Sequence, residues 1–329
     1  MIPLELPDPL QLAEAIVQGN RSAVANALNI IDNKRPEAKE CSAQLLSALP
    51  QKKLLEEGHL IGITGPPGAG KSSLVSALIH IWRKAGVSIG VLAVDPSSRI
   101  SGGALLGDRL RIKLPQFDEG LFIRSLASRG HLGGLASEVW PMGLVLLACF
   151  DLVIIETIGV GQTEIDIANV SDTVCYIAQP ASGDSIQYLK SGVMEIPDVL
   201  VVNKSDLGTP AKKTARELTR CLVPPESQTD WSIPVHLVSA SEGSGIEKLA
   251  QIFEEHRAWL SQANKLTSSR VEHQAAWGIK LLREEFGRHG LELVGGETTL
   301  LQQWTSHVAS PLEIFEVFRK KILTHWKKI

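Results

Sequence analysis

A glycine-rich loop that begins at Gly65 constrains the fold of this chain more than any other sequence feature. The letters GPPGAGKS end in Lys71 and Ser72 and have the Gly-x-x-x-x-Gly-Lys-Ser spacing of a phosphate-binding loop. The loop directly follows an apolar run at residues 60–64 and directly precedes an amphipathic stretch at 74–82. This context predicts a strand, a tight loop and a helix in succession.

Glycines in such a loop allow successive backbone N–H groups, and the start of the following helix, to point at phosphate oxygens. Lys71 is then placed to neutralise the β- and γ-phosphates, and the hydroxyl of Ser72 to coordinate Mg²⁺. The alternative is a glycine-rich turn with an ordinary surface lysine, which leaves the flanking strand and helix patterns without a reason. The sequence therefore predicts a nucleoside triphosphate site.

Short apolar runs separated by helix-length segments follow the loop along the chain. The strand candidates are residues 60–64, 88–94, 121–125, 152–156, 173–178, 199–203 and 235–238. The segments between most of them are long enough for helical crossovers, which parallel strands require. We therefore predict an α/β fold of the P-loop NTPase type, with a doubly wound and mostly parallel sheet.

Helical periodicity without strands marks both ends of the chain. Apolar residues recur at spacings of three and four from about residue 9 to residue 49. After Ile246, helical patterns cover residues 249–260, 271–286, 300–307 and 312–329. We predict an N-terminal helical segment at 1–56, a nucleotide-binding domain at 57–262 and a C-terminal helical arm at 263–329.

Composition and charge narrow the class of protein. The 329 residues are 44% hydrophobic and 21% charged, which is typical of a soluble globular protein. With 33 Lys+Arg against 36 Asp+Glu, a nucleic acid is not expected as the main partner. The first residues show no basic leader and no later window has the length of a membrane span, so we expect a cytoplasmic protein without a membrane partner. The four scattered cysteines predict reduced thiols and no metal site.

A second motif concerns the choice of base. The segment VLVVNKSD reads as a strand that ends in Asn203 and Lys204, followed by Asp206. The carboxylate of Asp206 can accept from both the ring N–H and the exocyclic amine of guanine, and adenine offers neither donor there. Asn203 and the stem of Lys204 would brace the loop and cover the base. Ser239 and Ala240 resemble the Ser-Ala segment that closes over guanine in GTPases, with the Ala240 N–H facing the base oxygen.

A glutamate at a strand end opens the segment ETIGVGQTE. Glu156 and Gly159 have the spacing of the Asp-x-x-Gly motif of Ras-type GTPases, in which the aspartate holds Mg²⁺ through water, but the side chain here is longer. Other carboxylates are therefore expected to share the task, and Asp95 and Asp108 are the candidates. Asp95 would equally serve as a turn cap, and Asp108 as the partner of Arg109 in a solvated ion pair, so both alternatives stay open.

Over about residues 62–246, the chain resembles the MeaB/ArgK family of GTPases. The resemblance rests on six motifs that occur in this order: GPPGAGKS, VDPSS, SGGALLGDR, FIRSLASRGHLGG, ETIGVGQTE and NKSDL. That family is associated with the adenosylcobalamin-dependent methylmalonyl-CoA mutase. The resemblance implies a P-loop GTPase core with an N-terminal helical segment and a C-terminal helical dimerisation arm. It also implies Mg²⁺-dependent hydrolysis of GTP to GDP and phosphate by a protein that assists or protects the mutase in cofactor loading or reactivation, without binding cobalamin directly.

The resemblance also assigns roles to single residues, and it explains Glu156, because glutamate in place of aspartate is the rule in that family. The catalytic candidates are Lys71, Asp95, Asp108, Glu156 and Gln162, the last as a residue that positions water. The metal candidates are Ser72, Asp95, Asp108 and Glu156. The nucleotide-binding candidates are Gly65, Pro66, Pro67, Gly68, Ala69, Gly70, Lys71, Ser72, Ser73, Gly159, Asn203, Lys204, Asp206, Ser239 and Ala240.

Residues 180–196 resemble the additional switch of the family, a loop that relays the state of the nucleotide to the mutase. The matching residues are Gly183, Asp184, Gln187, Lys190 and Gly192. The loop departs from the family at Tyr188, where glycine is usual, and at Ser191, where a second basic residue is usual. Residues 136–150 also depart from a more polar family helix. These departures leave open which acyl-CoA mutase is the partner and whether that partner has been retained.

A homodimer built from the helices after Ile246 is the expected assembly. Residues 271–286 place an apolar stripe on one helical face, which is hidden either by a second subunit or by packing on the core of the same chain. Rival functions are a metal-insertion GTPase for hydrogenase or urease, whose usual histidine-rich or cysteine-histidine ligands are absent, and a protein kinase of a transport system. A MinD-type ATPase would carry an early lysine in the loop, where this chain has Pro66 and Pro67.

Overall fold

The computed structural model of the protein describes residues 6–95, 118–127, 135–157, 166–180, 196–222, 227, 230–305 and 311–326. The chain divides into two compact units. The α/β unit consists of residues 58–136 and 150–263, and the helical unit of residues 1–57, 137–149 and 264–329. The boundaries predicted after residues 56 and 262 stay predictions.

A parallel sheet of seven strands forms the centre of the α/β unit. The strands are β1 His59–Thr64, β2 Ile89–Asp95, β3 Leu121–Ala127, β4 Leu152–Glu156, β5 Thr173–Ala178, β6 Val199–Val202 and β7 Val235–Leu237. Their order is β3-β2-β4-β1-β5-β6-β7, and every neighbouring pair is parallel. The chain thus extends the sheet in both directions from its centre, which confirms the predicted doubly wound α/β fold.

Eleven α-helices lie within the described part of the chain. They are α1 Pro9–Val17, α2 Arg21–Asp32, α3 Pro36–Ala48, α4 Gln51–Glu56, α5 Lys71–Lys84, α6 Val139–Cys149, α7 Thr209–Cys221, α8 Ile246–Gln262, α9 Lys265–Glu292, α10 Gly296–Thr305 and α11 Pro311–Trp326. The helix α9 contains a break at Gly287, whose φ is 67°. None of these described helices is both long and apolar enough to cross a membrane.

Two hydrophobic clusters cover the sheet of the α/β unit. One joins α5 and α8 to the sheet, and in it the rings of Trp82 and Phe253 lie 5.9 Å apart. The other joins α7 to β5, β6 and β7 through residues such as Ala211 and Leu218. The strands β1, β4, β5 and β6 are buried along their whole lengths, as parallel strands covered by helices require. For these four strands, the ends and the described loops that follow them are therefore the positions open to a ligand.

The helical unit comprises α1 to α4, α6 and α9 to α11. Its helix α6 is buried along nearly its whole length because its residues are apolar on every side. In the core formed by α9, α10 and α11, Trp304 lies against Gly278, where an added Cβ would overlap the indole ring. The predicted apolar stripe is hidden here, since Ala275, Ile279 and Leu282 are members of this core.

Candidate nucleotide-binding site

The phosphate loop lies between β1 and α5, as predicted, and glycines give it its shape. Gly65, Gly68 and Gly70 have φ values of 143°, 80° and 86°, which other residues rarely adopt. A Cβ at Gly65 would collide with the carbonyl oxygen of Ile177, and one at Gly70 with the side chain of Asn203. The loop is therefore tight, and Pro67 and Gly68 lie exposed at its tip.

Lys71, the first residue of α5, is buried inside this loop at 8% exposure. Its Nζ atom donates to the carbonyl oxygens of Gly65, at 2.7 Å, and Pro66, at 3.1 Å. The backbone N–H of Ala69 donates to the Pro66 oxygen at 3.2 Å, which closes the turn. The ammonium group is thus held at the centre of the loop, where a bound phosphate would meet it.

Glu156, at the carboxyl end of β4, lies directly beside the phosphate loop. The strands β1 and β4 pair in a register that places Glu156 opposite Ile63. Its Oε1 atom accepts a hydrogen bond of 2.7 Å from the hydroxyl of Ser72, and the side chain is only 6% exposed. The longer glutamate thus reaches across from the neighbouring strand to the serine of the loop.

Two buried threonines, which no motif of the sequence marks, hold these strand ends together. The backbone N–H of Thr157 donates to the oxygen of Ile63 at 2.9 Å, and its Oγ1 donates to Oγ1 of Thr64 at 3.0 Å. Both threonines are at most 1% exposed. These two bonds, made by the residue that follows Glu156, therefore set the distance between Glu156 and the phosphate loop.

The donor set fits a Mg²⁺ ion, because the hydroxyl of Ser72 and the carboxylate of Glu156 are hard oxygen ligands held next to each other. Asp95 ends β2, which pairs with β4, so its backbone lies at the same edge of the sheet. Asp108, Gly159 and Gln162 lie outside the described residues. Within the described ranges, no group of three or more histidine, cysteine, aspartate or glutamate side chains is arranged for a metal ion.

The predicted base-reading residues follow β6 and contact the phosphate loop. Asn203 is buried, and its Nδ2 donates to the oxygen of Ala69 at 2.8 Å. Lys204 has a left-handed backbone with φ of 60°, and its Nζ donates to the oxygen of Gly68 at 2.8 Å. These two bonds fix the loop after β6 to the loop after β1. Along the chain, Asn203 lies 134 residues from Ala69, and Lys204 lies 136 residues from Gly68.

Asp206 lies exposed in a single 3₁₀ turn at Ser205–Leu207. The hydroxyl of Ser239 donates to its Oδ1 at 2.5 Å, which orients the carboxylate. The N–H of Ala240, predicted to face a base oxygen, donates to Oδ1 of Asn203 at 3.2 Å. The structure thus brings the Ser-Ala segment to the base-reading residues, and Ser73 follows Ser72 on the exposed side of α5.

A family model for the methylmalonyl-CoA mutase-associated GTPase MeaB matches residues 24–292 of the chain. A protein of Pyrococcus horikoshii that is named as a GTPase is 39% identical over 79% of this chain and 81% of its own length. The mitochondrial methylmalonic aciduria type A homolog of Mus musculus is 30% identical over 85% of this chain and 70% of its own length.

One solved structure, that of a protein described as an LAO/AO transport system kinase, shares the fold. It superposes with a TM-score of 0.68 at 24% identity, over 97% of this chain and 100% of that one. The family match, the two relatives and the joined phosphate and base-reading loops agree with the resemblance in the sequence. The chain belongs to the MeaB family of GTPases.

Proposed function

We propose that the protein binds GTP with Mg²⁺ and hydrolyses it slowly to GDP and phosphate. The observation that carries this proposal is the direct bonding of the base-reading loop to the phosphate loop through Asn203 and Lys204, with Asp206 oriented by Ser239. A nucleotide whose phosphates lie in the first loop would place its base at the second. Asp206 then accepts from the two donors of guanine.

The roles of the phosphate-binding residues follow from their positions. Lys71 supplies positive charge at the β- and γ-phosphates, and the N–H groups of the loop donate to the same oxygens. A bound Mg²⁺ would neutralise charge that develops on the phosphates, and Ser72 and Glu156 are the described residues that would hold it. We expect slow intrinsic turnover, because the sequence offers no identifiable arginine finger, and Gln162 is proposed to orient the attacking water.

Base selection provides the test. Asp206→Asn should weaken GTP binding at least about a hundredfold and leave weak ATP binding unchanged, because an amide cannot accept both guanine donors. Titration with fluorescent GTP and ATP analogues measures both affinities. Asp230→Asn, which changes an exposed aspartate of the same unit, serves as the matched control. Equal GTP affinity in the Asp206 variant and the unaltered protein would contradict the assignment.

We also propose that the partner is an adenosylcobalamin-dependent acyl-CoA mutase of the methylmalonyl-CoA mutase type, and that residues 181–191 relay the state of the nucleotide to it. The names of the family and of the mouse relative support this partner. The relay candidates Gln187 and Lys190, and the departures Tyr188 and Ser191, lie outside the described residues.

The relay is tested by replacing Gln187 and Lys190 with alanine. We expect intrinsic GTP hydrolysis to stay near normal, and its acceleration by the mutase to be lost. Hydrolysis is measured with and without the purified mutase. Where a mutase gene lies beside this gene, its product is used. Full acceleration of the double variant would reject the relay, and phosphate transfer from GTP to a protein would favour the kinase alternative.

The proposed homodimer receives different support from that in the sequence analysis, because the predicted stripe is buried in the core of its own chain. The helix α11 exposes Val317 at 50%, Leu323 at 37% and Trp326 at 45%. We propose that these side chains contribute to the dimer. Val317→Asp should then shift the protein from dimer to monomer in sedimentation, with GTP binding intact; a full-length protein that sediments as a monomer would contradict the proposal.

A further inference from the structure

A basic groove lies along one side of α7. Its lining residues are Lys212, Ala215, Arg216, Thr219, Arg220 and Leu237, and they border an open depression of about 500 Å³. We call it the α7 groove. The floor is apolar because Ala215 and Leu237 belong to the cluster that packs α7 on β6 and β7. The rim is cationic, since Lys212, Arg216 and Arg220 are all exposed.

The charge of this helix contrasts with that of the chain. The chain has a formal net charge of −3, but α7 carries four cations and a single carboxylate, Glu217. Glu217 lies 3.9 Å from Lys213, the fourth cation of the helix. Within the ranges that the structure describes, no carboxylate forms an ion pair with Lys212, Arg216 or Arg220. Within the described residues, these three cations therefore give the groove a net positive charge.

The spacing of the three cations selects the kind of anion. Residues four apart on a helix are separated by roughly 6 Å along its axis, so the row spans about 12 Å. A single phosphate is too small to bridge this row. Alternate residues of an extended peptide are about 6.6 Å apart, and their side chains point to the same side. A peptide with acidic residues at alternate positions therefore matches the row.

The lining favours a peptide over a nucleic acid. Single-stranded nucleic acids bind through aromatic side chains that stack on the bases, and none of the lining residues is aromatic. The apolar floor has no counterpart on a phosphate backbone, whereas it can accept the aliphatic stems of glutamate side chains. We propose that the α7 groove, whose described lining contains none of the predicted nucleotide-binding residues, binds an extended acidic segment of a partner protein.

The proposal is tested on the full chain with a short fluorescein-labelled peptide in which glutamate and threonine alternate. Replacement of Lys212, Arg216 and Arg220 by alanine should weaken binding at least about tenfold, and added salt should weaken binding to the unaltered protein. The matched control replaces Lys39, Lys52 and Arg288 by alanine. These residues are exposed outside the α7 groove, and their replacement removes the same net charge. A peptide with glutamine in place of glutamate should not bind.

A fluorescent label on Cys221 reports where the peptide binds. This cysteine is exposed at the end of α7, beside Arg220, whereas Cys41 and Cys175 are buried and Cys149 is partly buried and is replaced by serine for the labelling. The label should respond to the acidic peptide in the control variant and not in the groove variant, with GTP binding unchanged in both. Failure of the unaltered protein to bind the peptide, an equal loss in the control variant, or stronger competition by a single-stranded oligonucleotide would each overturn the proposal.

Discussion

The two ends of the same parallel strands in the α/β unit carry polar side chains of very different kinds. At the carboxyl ends, glycines with positive φ form a tight loop, and charged residues such as Lys71 and Asp206 lie where a ligand would meet them. At the amino ends, His59 and Thr173 begin β1 and β5, and Asp198 precedes β6. There the polar groups contact one another.

The amino-end network runs through one threonine. The Oγ1 atom of Thr173 lies 2.7 Å from Nε2 of His59 and 2.7 Å from Nδ1 of His256, so one hydroxyl bridges the two rings. Nε2 of His256 lies 3.6 Å from Oδ1 of Asp198. His256 is fully buried, and its ring packs against those of Trp231 and Trp259.

We expect the two ends of the sheet to differ in role, with nucleotide binding at the carboxyl end and stability at the amino end. At the carboxyl end, the polar groups lie in loops. Their present hydrogen bonds can be replaced by bonds to a nucleotide. The amino end links its polar groups to one another in a buried chain, in which Nε2 of His256 has no hydrogen-bond partner among the described residues. These groups lie away from the phosphate loop, so we expect substitutions there to change the free energy of unfolding and not the affinity for GTP. The following predictions test this separation.

Lys71→Ala should have the largest effect and should fall on function alone. We expect GTP turnover to drop at least about a hundredfold, because the charge at the transferred phosphate is lost. The thermal midpoint should change little compared with Lys84→Ala, which removes an exposed lysine in the last turn of the same helix. Single-turnover hydrolysis measures the first quantity and calorimetry the second. Unchanged hydrolysis would refute the site.

Thr173→Val should have the opposite profile. The substitution keeps the shape but leaves a ring nitrogen of His59 and one of His256 without their hydroxyl partner, which costs about 1–3 kcal/mol. Urea denaturation should show this loss, while GTP affinity stays the same. Thr219→Val, on the exposed side of α7, should change stability by no more than about 0.5 kcal/mol. A weaker affinity for GTP in Thr173→Val would break the separation.

Thr157→Val should lower hydrolysis by about tenfold, because the hydroxyl bond to Thr64 that sets the distance between Glu156 and the loop is lost. As a positioning residue, Thr157 should also affect the Mg²⁺ concentration that gives half-maximal turnover, which should rise. Thr157→Ser keeps the hydroxyl and should restore both quantities. A variant that turns over slowly with an unchanged Mg²⁺ requirement would indicate a purely structural role for this threonine.

The smallest expected effect is the net pH dependence of stability in the unaltered protein, because two contributions oppose each other. Burial lowers the pKa of His256 from 6.5 to about 4, so its contribution to stability is complete above pH 6.5 and is lost as the pH falls toward 4. Burial raises the pKa of Asp198 from 3.8 to about 7, and Asp172 adds to this rise; its contribution is complete below pH 3.8 and is lost as the pH rises toward 7. The two contributions oppose each other between about pH 4 and 6.5.

Single substitutions should therefore separate them. In Asp198→Asn, the free energy of unfolding should rise more steeply with pH over this window than in the unaltered protein. In His256→Gln, the free energy of unfolding should fall as the pH rises over the same window. Urea denaturation at a series of pH values, with a constant slope against urea, measures the difference. Shifts of the same sign in both variants would contradict the assignment of opposite pKa changes.

The sequence by itself determined the elements that have a local signature. Strand lengths, the glycine loop before Lys71 and the Asn-Lys-x-Asp segment ending at Asp206 are all readable within a few residues, because periodicity and backbone conformation are local properties. The resemblance then supplied the family. It also explained Glu156, for which the spacing alone left other carboxylates as alternatives.

Only the tertiary structure decided which of these elements meet. Thr173 contacts His59 across 114 residues and His256 across 83 residues, and no pattern of the sequence marks that chain of polar groups. The helix α6 follows β3 along the chain but belongs to the helical unit. A hydrogen bond between short side chains requires atoms within about 3.5 Å, and that proximity is fixed by strand order and packing, which no local stretch of residues encodes.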